Sequence, residues 1–249
     1  MITSILAGCI TFVFTVLLTI AGVGAAFILI PIFIALGIDV RVAMATALLL
    51  NSISMLCASY QFIRRRLVLW KVAFPILVVA SVFSPLGAYV SRALSRELLL
   101  WFFTGFLLFA GFMMLFYEPK KKDEVSSKSA QITYGVSVGV GAGFLGGLLG
   151  VGGGNFIVPV LVWLGFDPKK ASATTAFIVI FSSFFGFLGH ATLGHINISL
   201  LGFTIIGSAF GAVIGSWLMT EKLKGKQVKA IIGIVLLGIA LKMVWGLIG

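Results

Sequence analysis

Apolar residues in this chain come in blocks separated by short polar joints. The blocks run over roughly 3–21, 24–36, 43–62, 71–91, 98–117, 131–149, 154–164, 171–189, 198–219 and 228–248. Most approach the roughly 20 residues with which an α-helix crosses hydrocarbon. The second and seventh are too short to span unaided. None alternates with a two-residue period, so the strands of a β-barrel pore are excluded. The pattern predicts an all-α polytopic membrane protein. One long polar stretch interrupts it at 118–130, with Pro119, Lys120-Lys121-Lys122 and Ser126-Ser127. It divides the chain into a first transmembrane repeat (1–117), a linker (118–130) and a second transmembrane repeat (131–249).

The two sides of the linker resemble each other. Shifted by 128, Gly22-Val23-Gly24 falls on Gly150-Val151-Gly152, Pro31 on Pro159, Leu36-Gly37 on Leu164-Gly165 and Asp39 on Asp167. Ala43, Ala45 and Thr46 fall on Ala171, Ala173 and Thr174, making 10 identities in the 25 positions 22–46. Gly105 meets Gly233 in the same register, and Ser84 and Gly87 meet Ser208 and Gly211 after a four-residue slip.

Charge decides the sense of the duplication. If each glycine-broken pair of pieces makes no net crossing, the halves are inverted. Arg64, Arg65, Arg66, Lys71, Lys120, Lys121, Lys122, Lys128, Lys169, Lys170, Lys222, Lys224, Lys226 and Lys229 then share one side, 14 in all. Only Arg41, Arg92 and Arg96 lie opposite, and Lys242 falls inside a span. If each pair crosses once, the repeats are parallel and the split is 8 against 9. The positive-inside rule prefers the inverted arrangement, with the linker cytoplasmic and both termini outside. Inverted repeats with interrupted helices are a transporter architecture.

Composition agrees. Hydrophobic residues make up 60% of the chain, charged ones 10%, and mean hydropathy is +1.19. A soluble domain carries about 25% charged residues. The net charge of +11 sits between hydrophobic runs, so it reads as membrane orientation rather than nucleic-acid binding. Met1-Ile2-Thr3-Ser4 lacks a basic segment and no small-residue cleavage site follows, so the first block reads as retained. Cys9 and Cys57, inside apolar runs, read as small buried hydrophobes.

Several motifs could carry chemistry. Gly22-Val23-Gly24 and Gly150-Val151-Gly152-Gly153-Gly154-Asn155 break helices, and the short pieces after them begin with free N–H groups. Freed backbone must face protein or a wet cavity, and helix starts attract anions. The other role for glycine, close packing, suits the four-residue ladders Gly135, Gly139, Gly143, Gly147 and Gly207, Gly211, Gly215. Pro31 and Pro159 predict a further kink or break in each short helix. Gly37 and Gly165 end helices, Asp39 and Asp167 cap the next ones, and Pro168 takes a first helical position. Thr46, Asn51, Ser52, Ser54, Ser172, Thr174, Thr175, Ser182 and Ser183 place small polar groups in apolar helices. They serve either an anion's shell or interhelical hydrogen bonds. His190 and His195 have no carboxylate or cysteine beside them and read as interfacial, not as a metal site. Trp70, Trp101, Trp163 and Trp245 read as interface anchors.

All seven acidic residues, Asp39, Glu97, Glu118, Asp123, Glu124, Asp167 and Glu221, lie in joints. A cation carrier or proton relay usually holds a carboxylate mid-membrane, so an anionic or neutral substrate is favoured. No nucleophile–base–acid set is visible, which lowers the enzyme reading, and no cofactor or metal is called for.

At Gly150-Val151-Gly152-Gly153-Gly154, Pro159, Leu164-Gly165 and Ala171-Ser172-Ala173-Thr174-Thr175, the chain resembles the sulfite exporter TauE/SafE family. The first-half string is weaker and has Ala25-Ala26-Phe27 where the second has Gly153-Gly154-Asn155. The resemblance spans nearly the whole chain. It implies a bacterial or archaeal cell-membrane protein that exports or takes up sulfite, sulfonates or other small organic anions. The expectation is an alternating-access carrier with a small anion and the lipid bilayer as partners. The substrate site would comprise Gly22, Val23, Gly24, Thr46, Asn51, Gly150, Gly152, Gly153, Gly154, Asn155, Thr174 and Thr175. An anion channel and a non-transporting accessory subunit are the alternatives.

Overall fold

The structure, a computed structural model, describes residues 2–35, 37, 38, 40–91, 93, 95–117, 128–149, 153–190 and 198–248. Regular structure among them is wholly helical: α1 (Ile2–Ala21), α2 (Ala26–Ala35), α3 (Val40–Arg64), α4 (Trp70–Val90), α5 (Arg96–Phe116), α6 (Lys128–Leu148), α7 (Gly154–Trp163), α8 (Pro168–His190), α9 (Ile198–Trp217) and α10 (Gly225–Ile248). A π-helical turn, Leu218–Lys222, prolongs α9. Each predicted block becomes one helix. Five helical stretches among the described residues are long and apolar enough to span a membrane. The outer surface is apolar, with Val82, Phe109, Phe116, Phe210, Ile234 and Leu241 exposed, while Thr15, Asn51, Ser84, Thr175 and Ser183 are fully buried. This chain is an all-α multi-pass membrane protein.

The glycine ladders are packing seams. On α6, a methyl at Gly143 would lie 2.5 Å from the Ala80 Cα, and one at Gly147 would lie 1.9 Å from the Ser84 carbonyl oxygen. On α9, methyls at Gly207 and Gly215 would lie 2.3 Å and 2.5 Å from the carbonyl oxygens of Gly8 and Val16. Residue numbers rise together along both seams, so α6 runs parallel to α4, and α9 to α1. Small residues let these backbones touch, which replaces the hydrophobic drive that lipid cannot supply.

Helices that correspond under the duplication also meet, and they run antiparallel. Between α3 and α8, Asn51 Nδ2 donates to Ser183 Oγ at 2.9 Å and Ser52 Oγ to the Ile180 carbonyl at 2.8 Å. Leu48 lies against Gly186. The Ser52–Ile180 bond joins residues 128 apart, the offset of the repeat, so this crossing sits at the centre of the duplication. Between α5 and α10, Thr104 approaches Met243, Gly111 touches Leu237 and Gly233 touches Leu115.

Turn chemistry follows the motifs. Gly37 and Gly165 adopt left-handed backbone, with φ of 82° and 95°. The Ile38 and Phe166 N–H groups close their turns onto the Phe33 and Leu161 carbonyls at 3.0 and 3.1 Å. Asp167 Oδ1 accepts from the Lys169 and Lys170 N–H groups at 3.0 and 3.2 Å, with Pro168 at the first position of α8. Asp39 lies outside the described residues. Two expectations need correction. Pro31 and Pro159 do not break α2 and α7, which run through them as single helices. A proline forfeits one backbone bond, and the remaining helical bonds carry the segment across. Cys9 is exposed on the apolar surface and Cys57 is half-buried, because a residue in an apolar run of a membrane protein can face lipid instead of core. Trp70, Trp101, Trp163 and Trp245 are all exposed, as interface anchors are.

One end of the bundle collects basic residues. Arg65 pairs with Glu221. Lys169 Nζ donates to the Thr220 and Leu223 carbonyls at 2.9 and 3.0 Å, and Lys229 Nζ to the Tyr117 carbonyl. The α3–α4 turn, the end of α5, the start of α8 and the α9–α10 joint therefore share this end.

Candidate functional site

The first break forms because α1 has no way to continue past Ala21. Gly22 and Gly24 take left-handed φ of 72° and 77°. The Gly22 and Val23 N–H groups fold back onto the Thr19 and Leu18 carbonyls at 3.0 and 3.2 Å. That closure uses up two of the N–H groups predicted for a ligand. What remains is the start of α2: the Gly24, Ala25 and Ala26 N–H groups find no backbone acceptor among the described residues, and all three residues are buried. Ser172 Oγ ties the break to α8 through the Ala21 carbonyl at 3.1 Å.

The second break is described from Gly153, which precedes α7 with φ of 76° and no side-chain cap. Gly150 and Gly152 lie outside the described residues. Gly153 accepts from the Phe156 and Ile157 N–H groups at 3.0 and 3.2 Å, leaving the Gly154 and Asn155 N–H groups without a described acceptor. The two breaks touch. A methyl on Gly154 would lie 2.7 Å from the Val23 carbonyl oxygen and 3.1 Å from Val179. Two uncapped helix starts thus meet inside the bundle, each contributing partial positive charge. Buried helix ends without partners are costly unless a ligand or water occupies them.

Buried polar side chains of α7 and α8 lie at this point. Asn155 is 1% exposed, and neither its Nδ2 nor its Oδ1 has a partner among the described residues. Thr175 is fully buried with an unpartnered hydroxyl. It lies on the α8 face that carries Ser172, at the first break, and Val179, at the second. Thr46 on α3 is also buried and unpartnered among the described residues, but no described contact joins it to either break. The other two predicted residues are committed elsewhere. Asn51 spends its Nδ2 on Ser183, and its Oδ1 sits over Gly24, so it offers an acceptor where a donor was expected. Thr174 Oγ1 accepts the Leu69 N–H at 3.0 Å, which steadies the start of α4. Ala25 was missed, since nothing in its side chain distinguishes a helix start from any other apolar position. Phe156 packs on Phe103 and Phe106 of α5, with ring centroids 5.4 and 4.6 Å away, and so walls the start of α7 with aromatics. No group of three or more metal-ligating side chains occurs among the described residues.

Residues 6–243 match the family model for the sulfite exporter TauE/SafE. The chain belongs to this family. It is similar to the probable membrane transporter protein YunE of Bacillus subtilis (strain 168), with 29% identity over 82% of this chain and 81% of that protein. A second probable membrane transporter of the same organism, YdhB, is 25% identical over 78% of this chain and 80% of its own length. An archaeal one, MJ0441 of Methanocaldococcus jannaschii, is 26% identical over 73% of this chain and 70% of its own. No solved structure matches. As a TauE/SafE member, the protein serves membrane transport, and its apolar exterior fits a bilayer.

Proposed function

We propose that the protein is an alternating-access carrier that exports a small anion, a sulfite, sulfonate or carboxylate, across the cytoplasmic membrane. The observation that carries this reading is the meeting of two uncapped, buried helix starts at Val23 and Gly154, with the Asn155 amide unpartnered beside them. N–H groups there would hold the anion without a fixed cation, so binding need not become too tight for release. Inversion of the repeats is part of the proposal. Its support is the antiparallel crossing of the corresponding helices, α3 with α8 and α5 with α10, together with the charge asymmetry. A site on the axis of two inverted halves can be exposed to either side by rocking one half against the other. With the cell interior negative, each anionic charge leaving gains about 2.3 kcal/mol per 100 mV, so export needs no membrane carboxylate.

The test is a titration of purified protein with sulfite, methanesulfonate and acetate, repeated with Gly153→Leu. The left-handed φ of 76° and the Ala142 carbonyl 2.7 Å from an added methyl leave no place for a leucine. Anion binding should vanish while the variant inserts and stays monodisperse. Binding and transport equal to the parent would reduce the break to a packing device.

A further inference from the structure

Hydrogen-bond acceptors, not only donors, are left over at this site. Asn155 is the second residue of α7, and side chains in a helix lean toward its N-terminus, so its amide belongs to the same small volume as the free N–H groups. Its Nδ2 and Oδ1 both lack a described partner, and turning the amide over exchanges the two without satisfying either. The Asn51 Oδ1, from a fully buried residue, sits unpartnered over Gly24 on the other helix start. A ligand that only accepts hydrogen bonds, such as a sulfonate or sulfate, would satisfy the N–H groups and leave these oxygens bare. Bare buried acceptors cost binding energy, and a site built to bond a ligand's O–H rejects the analogue that lacks it.

Resting on the anion-carrier reading, we propose that Asn155 is a specificity-determining residue that selects anions bringing their own proton donor: hydrogen oxyanions, or small acids with a hydroxyl on the oxyanion head. The repeat places this amide in the second half alone, since Phe27 stands where Asn155 stands in the other. Selection of the protonated monoanion also means that the carrier reads pH through its cargo, without a titrating side chain of its own.

Methylphosphonate and methanesulfonate form the test pair. At about pH 5 both carry a single negative charge, because a phosphonate keeps its second proton there. They share a tetrahedral head and a methyl group and differ in one O–H. Calorimetric titration of the full-length protein should show methylphosphonate binding at least about tenfold more tightly. In Asn155→Leu the preference should collapse toward parity, with methanesulfonate still held by the backbone N–H groups. Should that variant fail to fold, the comparison in the parent protein still decides. Equal affinity of the parent for the two anions, as when water already satisfies the amide, overturns the proposal and leaves the carrier reading standing. If the parent binds neither these nor sulfite nor acetate, the carrier reading itself falls.

Discussion

Gly24 is the residue where sequence and site press hardest on each other. A methyl there would fall 1.8 Å from Asn51 Oδ1, and φ is +77°. Gly37 has a similar φ of +82° but nothing within 4 Å of the added methyl. Left-handed backbone costs an ordinary residue about 1–2 kcal/mol, so Gly37→Ala should lower stability by that much. Gly24→Ala should cost clearly more and perturb anion binding too. Thermal melts of the two in one detergent check this, and equal losses would mean that Asn51 does not pin the turn. Asp167→Asn should leave folding and transport intact, since asparagine caps as well as aspartate. A variant that folds and binds but does not transport would make Asp167 a relay. The caps and glycine turns were legible because each rests on a local bond between near neighbours. The fates of Asn51 and Thr174 were not: their partners, Ser183 and Leu69, lie 132 and 105 residues away.

At the scale of helices, spacing distinguishes glycines that let backbones approach from glycines that face lipid. Gly147 belongs to the ladder on α6, and its added methyl would sit 1.9 Å from a backbone oxygen of α4. Gly141, on the same helix, has nothing within 4 Å. Gly147→Ala must push α4 and α6 apart, at a cost in the 1–3 kcal/mol range of overpacking or above. Gly141→Ala should be neutral or slightly stabilising, because alanine is the better helix former by about 1 kcal/mol. Unfolding midpoints that do not separate the pair would show that the α4–α6 seam is looser than described. The i, i+4 glycine pattern announced a seam, but not its partner. Gly143 packs on Ala80 and Gly207 on Gly8, each in the opposite half of the chain. That exchange follows from how the two halves embrace, which periodicity within one helix does not encode.

For the whole molecule, the deciding question is which ends of the helices share a face of the membrane. The Arg65–Glu221 pair and the bonds from Lys169 to Thr220 and Leu223 gather the basic joints at one end. Those joints come from both halves. Inverted repeats require this, because each joint's counterpart five blocks on lies on the opposite face, so the joints after α3 and α5 share a face with those after α7 and α9. Parallel repeats would set α3 and α8 side by side in the same direction, whereas Asn51–Ser183 and Ser52–Ile180 run in opposite register. The arrangement can be read chemically with single cysteines at Lys121 and Gly194. The background would carry Cys9→Ser and Cys57→Ala, since Cys9 is exposed and would otherwise report on its own. An impermeant thiol reagent added to intact cells should label Gly194→Cys, and Lys121→Cys should label only once the membrane is opened. In parallel repeats both positions lie on one face. Labelling of the two under the same condition would therefore sink the inverted arrangement, and with it the rocking of two halves around the Val23–Gly154 contact.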